Sequence, residues 1–69
     1  MKRTPVTSSN VNSIGYAEVT KTLEVEFSSN IIYQYTGVEL TVYRDLLAAD
    51  SVGKYLNKNI KNNYAYKRM

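Results

Sequence analysis

Strict alternation marks the centre of the chain. Across Thr22-Leu23-Glu24-Val25-Glu26-Phe27 apolar and polar side chains take turns, which places Leu23, Val25 and Phe27 on one face of a β-strand and Thr22, Glu24 and Glu26 on a wet reverse face. Upstream, residues 11–16 alternate less cleanly, with the irregularity around Gly15, and read as a strand whose buried members are Val11, Ile14 and Tyr16. A loop over residues 17–21 joins the two. Downstream, Ser28-Ser29-Asn30 is a short connection in which asparagine supplies the left-handed backbone of a tight hairpin. Ile31-Ile32-Tyr33-Gln34-Tyr35-Thr36 is β-branched and aromatic, with Ile31, Tyr33 and Tyr35 on one side and Ile32, Gln34 and Thr36 on the other.

After Gly37 the period changes. Leu40, Tyr43 and Leu47 recur at i, i+3 and i+7, widened by Val42 and Leu46, so residues 39–49 predict an amphipathic helix with Thr41, Arg44 and Asp45 outward. Asp50-Ser51 stops that helix and caps a second over residues 52–61. At about 100° per residue, Lys54, Asn57, Lys58 and Lys61 share one arc while Val52, Tyr55, Leu56 and Ile60 lie opposite. Gly53 in the first turn opposes helix formation and marks close packing or the near approach of a partner. Asn62-Asn63 suits a left-handed helix end, and Tyr64-Ala65-Tyr66 resumes period two as a short last strand or extended tail, with both tyrosines on one side.

These elements predict an α+β fold: a three-stranded antiparallel meander over residues 11–36, two helices on its apolar face, and a short last strand at residues 64–66. The core is expected to hold Ile14, Leu23, Val25, Phe27, Leu40, Tyr43, Leu46, Leu47, Leu56 and Ile60. Residues 1–10, with Pro5 and the turn-forming Ser8-Ser9-Asn10, read as an N-terminal arm ordered only around Val6. Residues 11–69 form a single domain.

Composition narrows the picture. A chain of 69 residues buries only about 60% of its unfolded surface, and with no cysteine and no histidine it has neither a disulfide framework nor the commonest metal ligand. Short apolar runs and a polar start predict no membrane span and no signal peptide, so a soluble cytoplasmic monomer is expected. Charge is uneven: residues 1–50 hold six acids and four basic groups, a balance of −2, whereas residues 51–69 hold Lys54, Lys58, Lys61, Lys67 and Arg68 with no acid, a balance of +5. A basic end interleaved with Tyr55, Tyr64, Tyr66 and four asparagines is an electrostatic footprint for an anionic partner, with nucleic acid the commonest.

The ordered set of Ser8-Ser9, Ile14-Gly15-Tyr16, the central Tyr33-Gln34-Tyr35, Ala49-Asp50-Ser51-Val52-Gly53-Lys54-Tyr55, Asn57, Ile60 and Tyr64-Ala65-Tyr66 resembles the KTSC domain family. That family is a module of about this length, found alone in bacterial and phage proteins and at the C-terminus of some lysyl-tRNA synthetases; Tyr33-Gln34-Tyr35 corresponds to its YxY. Two positions depart from its pattern: Asn30, where the family often has glycine, and Glu39, where proline usually follows the valine. What the resemblance implies about function is the suggestion of RNA binding.

Three functions compete. For catalysis there is no nucleophile–base pairing, no phosphate loop, and only Glu24 and Glu26 as paired carboxylates on a polar strand face, so no enzyme activity, metal or cofactor is expected. For RNA or single-stranded nucleic acid, Lys54, Lys58, Lys61, Lys67 and Arg68 would meet phosphates, Asn57 would add a hydrogen bond, and an exposed member of Tyr33, Tyr35, Tyr64 or Tyr66 would stack on a base. For a protein partner the tyrosines would form the interface and the lysines its rim. Burial is the commoner fate of tyrosine on a strand, and a basic helix face is often only solvated surface.

Overall fold

The computed structural model describes residues 2–69. Five strands lie side by side in sequence order, each antiparallel to its neighbours: β1 (Arg3–Pro5), β2 (Val11–Ala17), β3 (Thr22–Phe27), β4 (Ile32–Thr36) and β5 (Tyr66–Arg68). Between β4 and β5 in sequence come α1 (Leu40–Ala48) and α2 (Val52–Tyr55), which continues as a π-helical turn over Leu56–Ile60. The fold is α+β as expected, but the sheet extends beyond the three-stranded meander at both edges. The first ten residues are more than an arm: Arg3 pairs with Gly15, Thr4 with Ile14 and Pro5 with Ser13. Proline has no N–H to give a ladder, so an edge strand is where a sheet tolerates it. At the other edge the last strand is displaced by two residues from its expected position, pairing Tyr35 with Tyr66, Gln34 with Lys67 and Tyr33 with Arg68.

Cross-strand partners share a face. Ile14 opposes Val25 and Tyr16 opposes Leu23 in one ladder, and Val25 opposes Tyr33 and Leu23 opposes Tyr35 in the next, so these six side chains line the face beneath the helices. Ile14, Leu23, Val25, Leu46, Leu56 and Ile60 are buried as expected, as is Val11 of β2, and they are joined by Tyr35, Val38 and Val52; Tyr16, also expected inside, is half-buried. The uneven alternation of β2 is a bulge at Asn12 and not a feature of Gly15: Val11 pairs with Phe27 and Ser13 with Glu26, so the extra residue returns Val11 to the core side.

Three expected core residues sit at its margin. Phe27 and Tyr43 are half-buried against it, Tyr43 stacking on Tyr16 at 4.8 Å, and Leu40 is half-buried. Leu47 is displaced outright, 40% exposed, while its neighbour Leu46 is fully enclosed. The stripe of α1 therefore runs through Val42, Tyr43 and Leu46, and only one of two consecutive leucines can face the sheet.

The second helix keeps its predicted faces by a change of pitch. Ser51 caps it, its hydroxyl accepting from the Lys54 amide at 3.3 Å, and Val52, Leu56 and Ile60 are buried. At 3.6 residues per turn each step of four overshoots a full circle by about 40°. The wider turn closed by Lys61 N–H donating to the Leu56 carbonyl at 2.9 Å cancels that drift between Leu56 and Ile60. The helix then ends without left-handed asparagine, since among the described residues only Lys21, Asn30 and Gly37 have positive φ. Instead the Asn63 carboxamide donates to the Asn59 carbonyl at 2.7 Å. Asn30 itself takes the left-handed turn, φ 66°, with its amide donating to the Phe27 carbonyl at 2.9 Å.

On the reverse face the alternating acids are not simply wet. Glu24 is buried, held by Arg3 from β1 and by the Gln34 carboxamide, which donates to it at 2.8 Å. The Gln34 hydrogen bond is the largest influence holding its carboxyl below the ordinary range; burial opposes it and the Arg3 guanidinium adds to it.

Candidate nucleic-acid interface

The helical cations are placed as the sequence predicts. Lys54, Asn57, Lys58 and Lys61 are all exposed, anchored by Val52, Leu56 and Ile60 on the opposite side. Among the described residues the ion pairs are Arg3–Glu24 and Lys21–Glu39, the latter at 2.9 Å. Lys54, Lys58, Lys61, Lys67 and Arg68 are therefore all without an acidic partner in the described fold.

The tyrosines divide. Tyr33, Tyr35 and Tyr66 form one cluster: Tyr66 lies 5.1 Å from Tyr33 and 5.9 Å from Tyr35, ring centre to ring centre, and Phe27 meets Tyr33 edge to face at 5.5 Å. Within it Tyr35 is 1% exposed, a floor of the core and not a stacking surface, and burial pushes its hydroxyl pKa up. Tyr66, at the uncovered sheet edge, is 59% exposed, and Tyr33 is intermediate. Tyr64 does not join Tyr66. It lies half-buried against the core, as does Tyr55, whose hydroxyl pKa is raised by burial first, then by Asp45 and Tyr64. The bend before β5 separates two residues that an unbroken extended tail would have kept together.

Strand pairing also separates the last two cations. Arg68 stands opposite Tyr33, on the aromatic face, whereas Lys67 stands opposite Gln34 on the reverse face, where Gln34 bonds to Glu24. Of the two, Arg68 alone therefore shares a sheet face with Tyr33.

Where the aromatic face meets the π turn there is a cavity open to solvent, of about 330 Å³, lined by Asn10, Phe27, Ser28, Ser29, Ile31, Tyr33 and Lys61. It joins the two predicted halves of the site, since Lys61 comes from the basic helix and Tyr33 from the aromatic strand. The remaining lining residues were not among the sequence-predicted site residues. Asn10 reaches the cavity because the Ser28 amide donates to its carbonyl at 2.9 Å, which clamps the β1–β2 connection to the β3–β4 hairpin. The Ser28-Ser29-Asn30 turn beside an aromatic strand end was the available signal, but its hairpin role accounts for it fully.

The described residues include no cluster of acids able to hold a metal ion and no helix long and apolar enough to cross a membrane.

Comparison with known proteins accounts for nearly all of the chain. The model of the KTSC domain matches residues 7–64. An uncharacterised protein of Stutzerimonas stutzeri is 43% identical over 70 aligned positions, covering all of this chain and 99% of that one. A lysine–tRNA ligase of a Nostoc species is 39% identical over 59 residues, which is 86% of this chain but only 10% of the ligase. The crystal structure of a KTSC domain protein from Yersinia pestis superposes with a TM-score of 0.96 at 32% identity, over 99% of this chain and 96% of that one. With the family model matched over most of its length and a KTSC domain protein superposing along nearly the whole of it, this chain belongs to the KTSC domain family.

Proposed function

We propose that the chain is a non-catalytic binding domain for RNA or single-stranded nucleic acid, working in the cytoplasm. Lys54, Lys58, Lys61 and Arg68 meet phosphates, Asn57 adds a hydrogen bond, and Tyr33 and Tyr66 offer ring surface to bases. The observation that carries this reading is the meeting of unpaired cations with the accessible aromatic edge: Lys61 lines one cavity with Tyr33, and Arg68 stands opposite Tyr33 in the β-ladder. Single strands are held by this combination, a basic track for the backbone beside aromatic platforms for the bases. The occurrence of the same module within lysine–tRNA ligases, proteins whose name places them on tRNA, supports RNA as the polymer.

Titration of a labelled single-stranded RNA at low and high salt tests it. Affinity is expected to fall with salt with a slope near −0.7 per phosphate neutralised, and Lys58→Glu to weaken binding at every salt concentration. Absence of binding at low salt, or binding indifferent to Lys58→Glu, overturns the reading and turns attention to Tyr66 as a protein contact, which light scattering and pull-down would then examine.

A further inference from the structure

The cavity between the β3–β4 hairpin and the π turn has the makings of a site for one small molecule and not merely of a stretch of basic surface. Its volume, about 330 Å³, falls at the lower end of small-ligand pockets, enough for one base with part of its sugar. One wall is aromatic, with Phe27 and Tyr33 edge to face at 5.5 Å, and Ile31 extends it. The other wall is polar and uncommitted. Among the described residues, the Asn10 carboxamide and the Ser28 and Ser29 hydroxyls make no hydrogen bond within the chain; the backbones of Asn10 and Ser28 are fixed, the Ser28 amide donating to the Asn10 carbonyl and the Asn10 amide to the Ser8 hydroxyl at 3.3 Å, and the turn that carries Ser29 is closed on either side by the Asn30 amide donating to the Phe27 carbonyl and the Phe27 amide to the Ile31 carbonyl. Lys61 stands at the same cavity without an acidic partner.

Apolar π surface, free amide and hydroxyl groups, and one cation are complementary to a ligand with a flat aromatic body, a hydrogen-bonding edge and a single anionic group. We infer that this cavity captures one unstacked nucleotide, its base against Phe27 and Tyr33, its edge facing Asn10, Ser28 and Ser29, and its phosphate on Lys61. The inference rests on the nucleic-acid reading above and deepens it: the helix cations hold the strand anywhere, and the cavity takes a single residue of it. Double-stranded nucleic acid, whose bases are stacked and paired, does not present such a residue. The cavity therefore makes the domain selective for loops, bulges or free ends.

The four nucleoside 5′-monophosphates, followed by amide chemical shifts on the isotope-labelled full chain, are the direct probes. Expected are shifts confined to Asn10, Phe27, Ser28, Ser29, Tyr33 and Lys61, weaker with the corresponding nucleosides and lost in Ser29→Trp, which fills the cavity from an exposed turn without entering the core. Removing one stacked base should weaken single-stranded RNA on the order of tenfold, so Ser29→Trp is expected to lower RNA affinity by about that factor while leaving the salt slope unchanged. The inference is overturned if mononucleotides shift only Lys54 and Lys58, or if Ser29→Trp binds RNA as the parent does while Lys58→Glu does not. In those cases the nucleic-acid reading survives without the cavity. If neither mononucleotide nor RNA binds, both fall together.

Discussion

Arg68 stands opposite Tyr33 where β5 joins β4, so the end of the basic stretch is fixed to the aromatic face by strand pairing. Lys67, one residue earlier, is directed to the other face by the same pairing. Two neighbouring exposed cations should therefore differ in effect. Arg68→Ala is expected to weaken single-stranded RNA and flatten the salt slope by about 0.7, whereas Lys67→Ala should leave affinity nearly unchanged apart from its long-range contribution at low salt. Tyr66→Ala should lower affinity by about 1–3 kcal/mol without altering the slope, because it removes stacking and not charge. Oligonucleotide titrations at several salt concentrations separate the three.

Leu46 and Leu47 are adjacent, yet one is fully enclosed and the other 40% exposed. Leu46→Ala leaves a cavity under α1 and is expected to cost about 2–5 kcal/mol, comparable with the whole stability of a domain this small, on the order of 3–5 kcal/mol. Leu47→Ala should change stability by less than about 1 kcal/mol. Urea unfolding followed by circular dichroism checks both, and equal losses would show that α1 is rotated from the position described.

How much of this was legible in the sequence depended on the range of the interaction. Leu23 and Val25 were found by alternation, Ser51 by its capping chemistry and Asn30 by its tolerance of the left-handed turn, all of them local effects. The pairing of Arg3 with Gly15 was not legible, because an edge strand holding Pro5 has no local signature and exists only when β2 is there to receive it. Nor was the burial of Val38, which sits in a connection and is fixed from afar, its amide donating to the Lys21 carbonyl at 3.0 Å and its carbonyl accepting from the Tyr16 hydroxyl at 2.5 Å. The basic helix face was legible from its period, while the cavity it borders was not, since Asn10 and Lys61 come from opposite ends of the chain. Period two also misplaced Tyr64, because it carries no information about a bend.

Glu24 gives the fold a dependence on acid. Its carboxyl is held below the ordinary carboxylate range chiefly by the hydrogen bond from Gln34, against the opposing effect of burial, with Arg3 contributing further. A folded-state pKa below the unfolded value means that the stabilisation is fully present above the unfolded value, about 4.3 for glutamate, and is lost as pH falls through the lowered folded value. Denaturant midpoints should therefore be insensitive to this group between neutrality and about pH 5 and decline below it. Glu24→Gln, which keeps an acceptor for Gln34 but cannot ionise, is expected to be less stable at neutral pH and to show a shallower acid decline. Arg3→Ala should lower stability at neutral pH by about 1–2 kcal/mol, since it leaves a largely enclosed carboxylate with one neutral donor.

Gly53 offers the reverse case, a substitution expected to help. It is buried in the first turn of α2, where an added Cβ would lie 3.5 Å from the Ser8 hydroxyl oxygen and 3.8 Å from the side-chain Nδ2 of Asn10. Those are ordinary van der Waals separations, so close packing against residues 8–10 does not itself demand glycine, and its φ lies outside the left-handed range. Alanine in a helix is favoured over glycine by up to about 1 kcal/mol, in part through the entropy of the unfolded chain. Gly53→Ala is accordingly expected to raise the urea midpoint without changing the m-value. Coupled to RNA titration, the same variant tests the second meaning of a glycine at this position: higher stability with unaltered binding identifies Gly53 as a packing residue, whereas higher stability with weakened binding means that the strand passes close to the Ser8–Asn10 side of the helix, beside the cavity that Asn10 and Lys61 share.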